Sequence, residues 1–413
     1  MNGSGRVAKG SALSAARISR RTILRAGLAS VASLALPVLS ACSNDAGTSA
    51  ALNWDAWWSR QSTNGLLDFA NWPYYIDRRS DNSHPSLDRF TRETGSRVQY
   101  LRPIRDLATF VERILPDLRA GRSIGYDLIV ITNGPELTSL LSENHLIPLD
   151  HGRLPNFAAN ASDLVKDPAW DPGNRFSVAW QSGLTGIAYR PEAVDALGRK
   201  PRGIEDLWDR RLRGRVGMLR DLTDLGSFGL LAEGVDPAVS TFSDWVRAAS
   251  RLREQKMSGV LRNYYDQGYI GALQRGDVWI TQAWSGDVFQ SMQIGYPELR
   301  FIVPEQGAML WTDSLMIPRG AEHPADALEY MDFVYRPEIA AMIADWVQYI
   351  SPVPAAREII AERYDDPLVA NSPLVFPTLA PEGEDVTHRF RTYRVLHTAF
   401  EQRRWQEVFG ALL

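Results

Sequence analysis

The sequence predicts an exported α/β protein whose body is divided into two lobes, and three observations carry that expectation. From residue 66 onward, short apolar runs alternate with amphipathic stretches, as strands and helices do along an α/β sheet. The alternating part is about 350 residues long, more than one hydrophobic core usually organises. Ahead of it stands a basic, then apolar, leader that ends in the single cysteine of the chain.

The leader comes first. Residues 1–41 hold Arg6, Lys9, Arg17, Arg20, Arg21 and Arg25, no acid, and an uncharged apolar run over 26–41, which is the build of a signal peptide. Ser19-Arg20-Arg21-Thr22-Ile23-Leu24 reads as a twin-arginine export motif, placed directly before the apolar run. Leu39-Ser40-Ala41-Cys42 resembles a lipobox, in which Cys42 is lipidated and becomes the new amino terminus. Two acyl chains, at about 0.8 kcal/mol per buried CH₂, would hold the protein on a membrane. The alternative, an uncleaved transmembrane anchor, is short of the roughly 20 residues a span needs. Residues 42–64 are expected to be a tether. Removing 1–41 takes away six positive charges and leaves 39 basic against 49 acidic residues. An acidic exported body suits a cationic ligand.

The body follows. Strands are expected at 66–69, 128–131, 186–189, 216–219, 278–281, 301–303 and 315–317, in a parallel sheet. Helices are expected between them at 86–94, 107–120 and 327–335, where apolar residues recur every three to four positions, and Pro324 and Pro337 suit the first turn of a helix. No repeat or low-complexity tract interrupts this pattern.

Composition excludes several classes. With 45% hydrophobic and 23% charged residues the chain is too polar for a polytopic membrane protein, and 45 Lys+Arg against 49 Asp+Glu gives no basic surface for nucleic acid. One cysteine supports neither a disulfide framework nor a thiolate zinc cluster. The six histidines include no i, i+4 pair, so neither metal nor cofactor is expected.

In open α/β sheets ligands bind beyond the carboxyl ends of strands. Those positions hold Trp72 and Tyr75, Thr132, Asp221 and Asp224, Trp284, and Trp311 with Asp313. They offer rings and carboxylates, with no nucleophile beside a base. Aromatic faces attract ammonium groups by about 0.5 to 2 kcal/mol each, and carboxylates add charge-assisted hydrogen bonds. Such a cleft suits an amine whose methylene chain lies between rings.

Asn71-Trp72-Pro73-Tyr74-Tyr75, Tyr126-Asp127-Leu128-Ile129-Val130, Trp311-Thr312-Asp313-Ser314 and Tyr349-Ile350-Ser351-Pro352-Val353-Pro354 together resemble the bacterial spermidine/putrescine-binding proteins of ABC importers. Over about residues 66–357 the similarity keeps the same order and includes Pro155-Asn156-Phe157 and Trp170-Asp171-Pro172-Gly173-Asn174. The resemblance implies a two-lobed periplasmic-binding-protein-like fold (type II) with two hinge crossovers. It places one lobe at 65–183 plus 312–357 and the other at 184–311 plus 358–413. It also implies polyamine contacts for Trp72, Tyr75, Thr132, Asp221, Asp224, Trp284, Trp311, Asp313 and Tyr349. Three departures stand out: Gly134 replaces an aromatic, Pro73 a hydroxyl residue, and Asp224 a longer acid.

The expected function is therefore non-enzymatic: a monomeric, membrane-anchored lipoprotein on the periplasmic or outer face that closes on a linear polyamine and delivers it to ABC permease subunits. Two rivals use the same residues. Tryptophan-rich clefts also stack on sugars, and Asp221 with Asp313 could serve as the carboxylate pair of a glycoside hydrolase.

Overall fold

The computed structural model of the chain describes residues 52–378 and 386–413. The leader 1–41 and Cys42 lie outside these residues. Among the described residues no helix is long and apolar enough to cross a membrane.

The expected tether ends earlier than residue 64. Trp54–Trp58 form a short helix capped by Asn53, whose side chain accepts from the Ala56 amide at 3.0 Å. Three indoles cannot all stay in water. Trp57 packs edge-on against Trp54 and Trp58, and Trp58 is buried with its Nε1 donating to the Pro148 carbonyl at 2.8 Å. The guanidinium of Arg153 sits 5.7 Å above the Trp58 ring. This segment belongs to the body.

Among the described residues the sheet has ten strands: β1 (Leu66–Ala70), β2 (Arg97–Leu101), β3 (Leu128–Thr132), β4 (Ser177–Tyr189), β5 (Val216–Leu219), β6 (Leu261–Tyr265), β7 (Ile280–Trp284), β8 (Arg300–Ile302), β9 (Ala308–Met316) and β10 (Phe390–Arg391). The main order is β2-β1-β3-β9-β4-β7-β5-β6, with β8 paired to β4 and β10 to β9. The expectation of a parallel sheet is corrected to a mixed one. β1 runs parallel to β2 and β3, and β5 runs parallel to β6 and β7. The two long strands between these groups, β4 and β9, are antiparallel to each other, and each is antiparallel to the group it adjoins.

That order accounts for two lobes. One half of the sheet is β2, β1 and β3, the other is β7, β5 and β6, and the chain passes from half to half along β4 and back along β9. All 13 residues of β4 are buried, since it is covered on both faces and paired on both edges. Where the crossovers lie side by side, Gly183 pairs with Trp311. A β-carbon at Gly183 would stand 2.3 Å from the Trp311 ring, so only glycine leaves room for the indole.

The carboxyl-terminal part divides differently from the expected boundary at 358. Residues 358–376 pack with the first half: Arg357 Nε donates to Ala370 O at 3.0 Å, and the Ser351 amide donates to Val375 O at 3.2 Å. Val369, Ala370 and Val375 supply the apolar contact and are fully buried. The final helix, Ala399–Gly410, joins the second half, with Trp405 packed edge-on against Trp245 at 5.2 Å and its Nε1 donating to Leu222 O.

Candidate ligand-binding site

Asn71, at the end of β1, is fully buried and organises the first aromatic pair. Its Oδ1 accepts from the Trp72 amide at 2.7 Å and its Nδ2 donates to Tyr75 O at 3.3 Å, closing a turn that presents both rings. The end of β3 is pinned to β9, because Asn133 Oδ1 accepts from the Thr312 amide at 2.8 Å. This register sets Thr132 opposite Asp313, and the Thr132 hydroxyl donates to Asp313 Oδ1. Burial pushes Asp313 up to about 6, with the hydroxyls of Thr132 and Tyr75 opposing that rise.

From Asp313 a connected path leads through the site. Tyr75 stacks edge-on against Tyr349 at 5.7 Å, and Trp311 lies tilted on Tyr349 at 5.2 Å. The Tyr349 hydroxyl donates to Asp287 Oδ1 at 2.7 Å, and the Tyr269 hydroxyl donates to Asp287 Oδ2 at 2.9 Å. Burial raises the pKa of Asp287, and the two hydroxyls oppose it. Tyr269 in turn packs edge-on against Trp284 at 5.7 Å. The Trp284 indole donates to Asp224 Oδ2 at 2.9 Å, and Tyr393 donates its hydroxyl to Asp224 Oδ1.

Asp221 caps the helix Leu222–Ala232, accepting from the amides of Thr223 and Asp224 at 2.9 Å, the ordinary role of an N-cap aspartate. Water reaches Asp221, but enough protein surrounds it for desolvation to raise its pKa, helped by the charge of Asp106. Burial, then repulsion from Asp221, holds Asp224 up at about 7.

The structure thus links Tyr75, Thr132, Asp221, Asp224, Trp284, Trp311, Asp313 and Tyr349 through contacts, with Trp72 beside Tyr75 in the same turn. Sequence reasoning left out three members of the path. Asp287 follows Trp284 by three residues, and the strand-end position was its only signal. Tyr269 opens the helix Tyr269–Gln274 and Tyr393 lies beyond residue 357, where the resemblance ends, so neither carried a signal. A cavity of about 250 Å³, lined by Trp170, Tyr393, Arg394 and His397 among others, reaches the path at Tyr393. Tyr349, from the first half, donates to Asp287 and lies against Gly286 of the second, so the two walls touch.

None of Asp221, Asp224, Asp287 and Asp313 has an arginine or lysine partner among the described residues, although arginine–carboxylate pairs such as Arg119–Glu143, Arg199–Asp206 and Arg336–Glu338 form elsewhere. Of these, Asp224 and Asp313 are buried, and buried acids without cations favour a positive guest. Asp68, Asp127 and His323 also bring potential metal-ligating atoms within 4.8 Å of one another. Asp127 there already accepts from the amides of Asp68, Glu322 and His323, which ties the start of β3 to β1 and to the segment entering the helix Pro324–Phe333.

Two lobes joined by paired crossover strands, with rings and acids gathered between them, are the architecture of a solute-binding protein. Residues 86–377 match the family model of the bacterial extracellular solute-binding proteins, and the chain belongs to that family. It is 26% identical over 320 residues to a spermidine/putrescine-binding periplasmic protein of Escherichia coli, covering 76% of this chain and 84% of that relative. It is 28% identical over 368 residues to a putrescine/agmatine-binding protein of Pseudomonas aeruginosa, covering 85% and 93%. The fold resembles the crystal structure of a spermidine/putrescine ABC transporter substrate-binding protein from Streptococcus pneumoniae, with a TM-score of 0.70 at 21% identity over 84% of this chain and 98% of that one.

Proposed function

We propose that the protein captures a linear polyamine of the putrescine/spermidine class between its lobes and hands it to the permease of an ABC importer. The observation that carries this reading is a series of carboxylates, Asp313, Asp287, Asp224 and Asp221, spaced by Tyr75, Tyr349, Trp311 and Trp284 and paired with no protein cation among the described residues. Ammonium groups would meet the acids and methylenes would lie against the rings.

The same residues supply the energy for closure. Moving a lobe equilibrium from 1:99 to 99:1 takes about 5.5 kcal/mol of preferential binding. Two or three charge-assisted contacts at about 1.5 to 3 kcal/mol each reach that figure. Because Trp311, Asp313 and Tyr349 are buried, the ligand enters by parting the lobes and leaves when the permease reopens them. We assign the first lobe to residues 65–183 plus 312–376 and the second to 184–311 plus 386–413. Twin-arginine export and lipidation of Cys42 would hold a single copy of this body at the outer face of a membrane.

A second reading rests on a specific observation. The indole nitrogens of Trp72 and Trp311 are buried without a hydrogen-bond partner, and an amine offers them no acceptor. A sugar, or an amine bearing a carboxylate, would. A thermal-shift panel of polyamines, sugars and amino acids on the exported protein separates the two, because only a native-state ligand raises the melting temperature. Stabilisation by putrescine or spermidine alone supports the polyamine. Stabilisation by sugars or amino acids alone replaces it.

A further inference from the structure

We propose that Asp68, Asp127 and His323 form a site for one divalent metal ion of the zinc class, at the end of the first half of the sheet opposite the end that carries Thr132. The inference stands apart from the polyamine reading, because neither these residues nor the measurement that tests them involves an amine.

The three side chains come from separate segments, so no local spacing announces them. Asp68 lies in β1, and Asp127 immediately precedes β3. The two are tied directly: the Asp127 amide donates to Asp68 O at 2.8 Å, and the Asp68 amide donates to Asp127 Oδ2 at 2.9 Å. His323 ends the segment that follows β9 and stands just before the helix Pro324–Phe333. Its amide and that of Glu322 donate to Asp127 Oδ1, each at 2.8 Å. Backbone bonds therefore fix where all three side chains begin. Asp127 and Thr132 mark opposite ends of one strand, about 16 Å apart.

The potential ligand atoms converge within 4.8 Å of one another, yet no hydrogen bond or ion pair joins the imidazole to either carboxylate. His323 Nδ1 is sealed from water without a hydrogen-bond partner, and the side chain does not cap its helix. A buried polar atom left unpaired costs free energy that a bound ion would recover. The Asp68 carboxylate likewise receives no hydrogen bond among the described residues. Burial, then the charge of Asp127, raises the pKa of Asp68, and His323 opposes that rise. Asp127 uses three lone-pair directions on amides, and a carboxylate has about four, so one remains for a metal.

Ligand type selects the ion. An imidazole with two carboxylates suits zinc, whereas calcium and magnesium take oxygen ligands. Zinc bonds of about 2.0 to 2.2 Å set tetrahedral ligands roughly 3.4 Å apart. The side chains of Asp68 and His323, held by no hydrogen bond, can swing inward by the difference, and water takes the fourth position. The ion would then clasp β1, β3 and the start of the helix Pro324–Phe333 together.

Titration calorimetry and thermal shift with zinc chloride, on the exported protein after treatment with a chelator, test this. His323→Ala and Asp68→Asn are measured alongside, because neither side chain holds the fold, whereas Asp127 anchors three amides and is left intact. The expected result is one zinc ion per chain, a raised melting temperature that a chelator reverses, and no displacement by equimolar calcium. His323→Ala should weaken zinc by about a hundredfold and Asp68→Asn by about tenfold or more. X-ray absorption at the zinc edge should show nitrogen and oxygen ligands only. No zinc binding by the unaltered protein, an unchanged affinity in either variant, or a sulfur ligand showing that Cys42 holds the metal would overturn the proposal.

Discussion

The Tyr349 hydroxyl donates to Asp287 Oδ1 at 2.7 Å while the Tyr349 ring lies against Gly286, so one helix start fixes both ends of this side chain. Tyr349 also carries the rings of Tyr75 and Trp311. The helix Ser285–Gln293 thus positions three aromatics that it does not itself contain.

Gly286→Ala tests that arrangement. A β-carbon at 286 would come within 2.5 Å of Tyr349 Cζ, so the ring must shift. Overpacking of this kind costs about 1 to 3 kcal/mol. Ligand affinity should fall by about tenfold or more because the aromatic wall is displaced. Calorimetry with chemical denaturation separates the two effects, and unaltered affinity would remove Tyr349 from the binding wall.

Tyr393→Phe examines the terminal segment. The substitution deprives buried Asp224 of a hydroxyl donor and leaves only the Trp284 indole among its side-chain donors at hydrogen-bonding distance. Loss of such a bond costs about 1 to 3 kcal/mol. Denaturant unfolding should show it. A loss below about 0.5 kcal/mol would mean that residues beyond 386 do not help build the site.

Affinity should depend on pH in one direction. Burial holds Asp313 at about 6 and Asp224 at about 7, above the ordinary 3.8. Between the unfolded and folded values the native state binds more protons than the unfolded chain, so the contribution of these groups to ligand-free stability is full below about pH 4 and is lost as pH rises through 6 and 7. A bound ammonium needs the ionised forms, so affinity rises over the same interval. Titrations at pH 5.5 and pH 8 should differ by about tenfold or more. Equal affinity at the two values would show that neither acid contacts the cation.

Under the proposed lipidation of Cys42, Cys42→Ser should move the protein from the membrane fraction to the soluble fraction. Fractionation and immunoblotting measure it, and retention on the membrane would point to the uncleaved apolar run as the anchor instead.

Much of the site was legible because strand ends can be read without knowing strand direction. Trp72, Thr132, Asp221 and Trp284 stand at or just past strand ends, whereas Trp311 and Asp313, expected ahead of a strand at 315–317, lie within β9 (Ala308–Met316), whose polar residues hid its length. Other features lacked a local signal. β2 and β6 escaped notice because they are largely solvent-accessible edge strands in which Arg97, Gln99, Arg262 and Asn263 leave no continuous apolar run. β4 was read only from 186, since Gly183 and the polar residues Gln181 and Ser182 interrupt a strand that is nevertheless wholly buried. Strand direction depends on partners distant in sequence, which is why a mixed sheet looked parallel. Asp287 and Tyr393 acquire roles only through Tyr349 and Asp224, more than 60 and 160 residues away in the chain.

Titration calorimetry of the exported protein with putrescine and spermidine, at low and at moderate ionic strength, tests the central claim most directly. The account predicts saturable binding of one ligand per chain, weakening as salt screens the acids. No heat with either amine, or an affinity indifferent to salt, would contradict it.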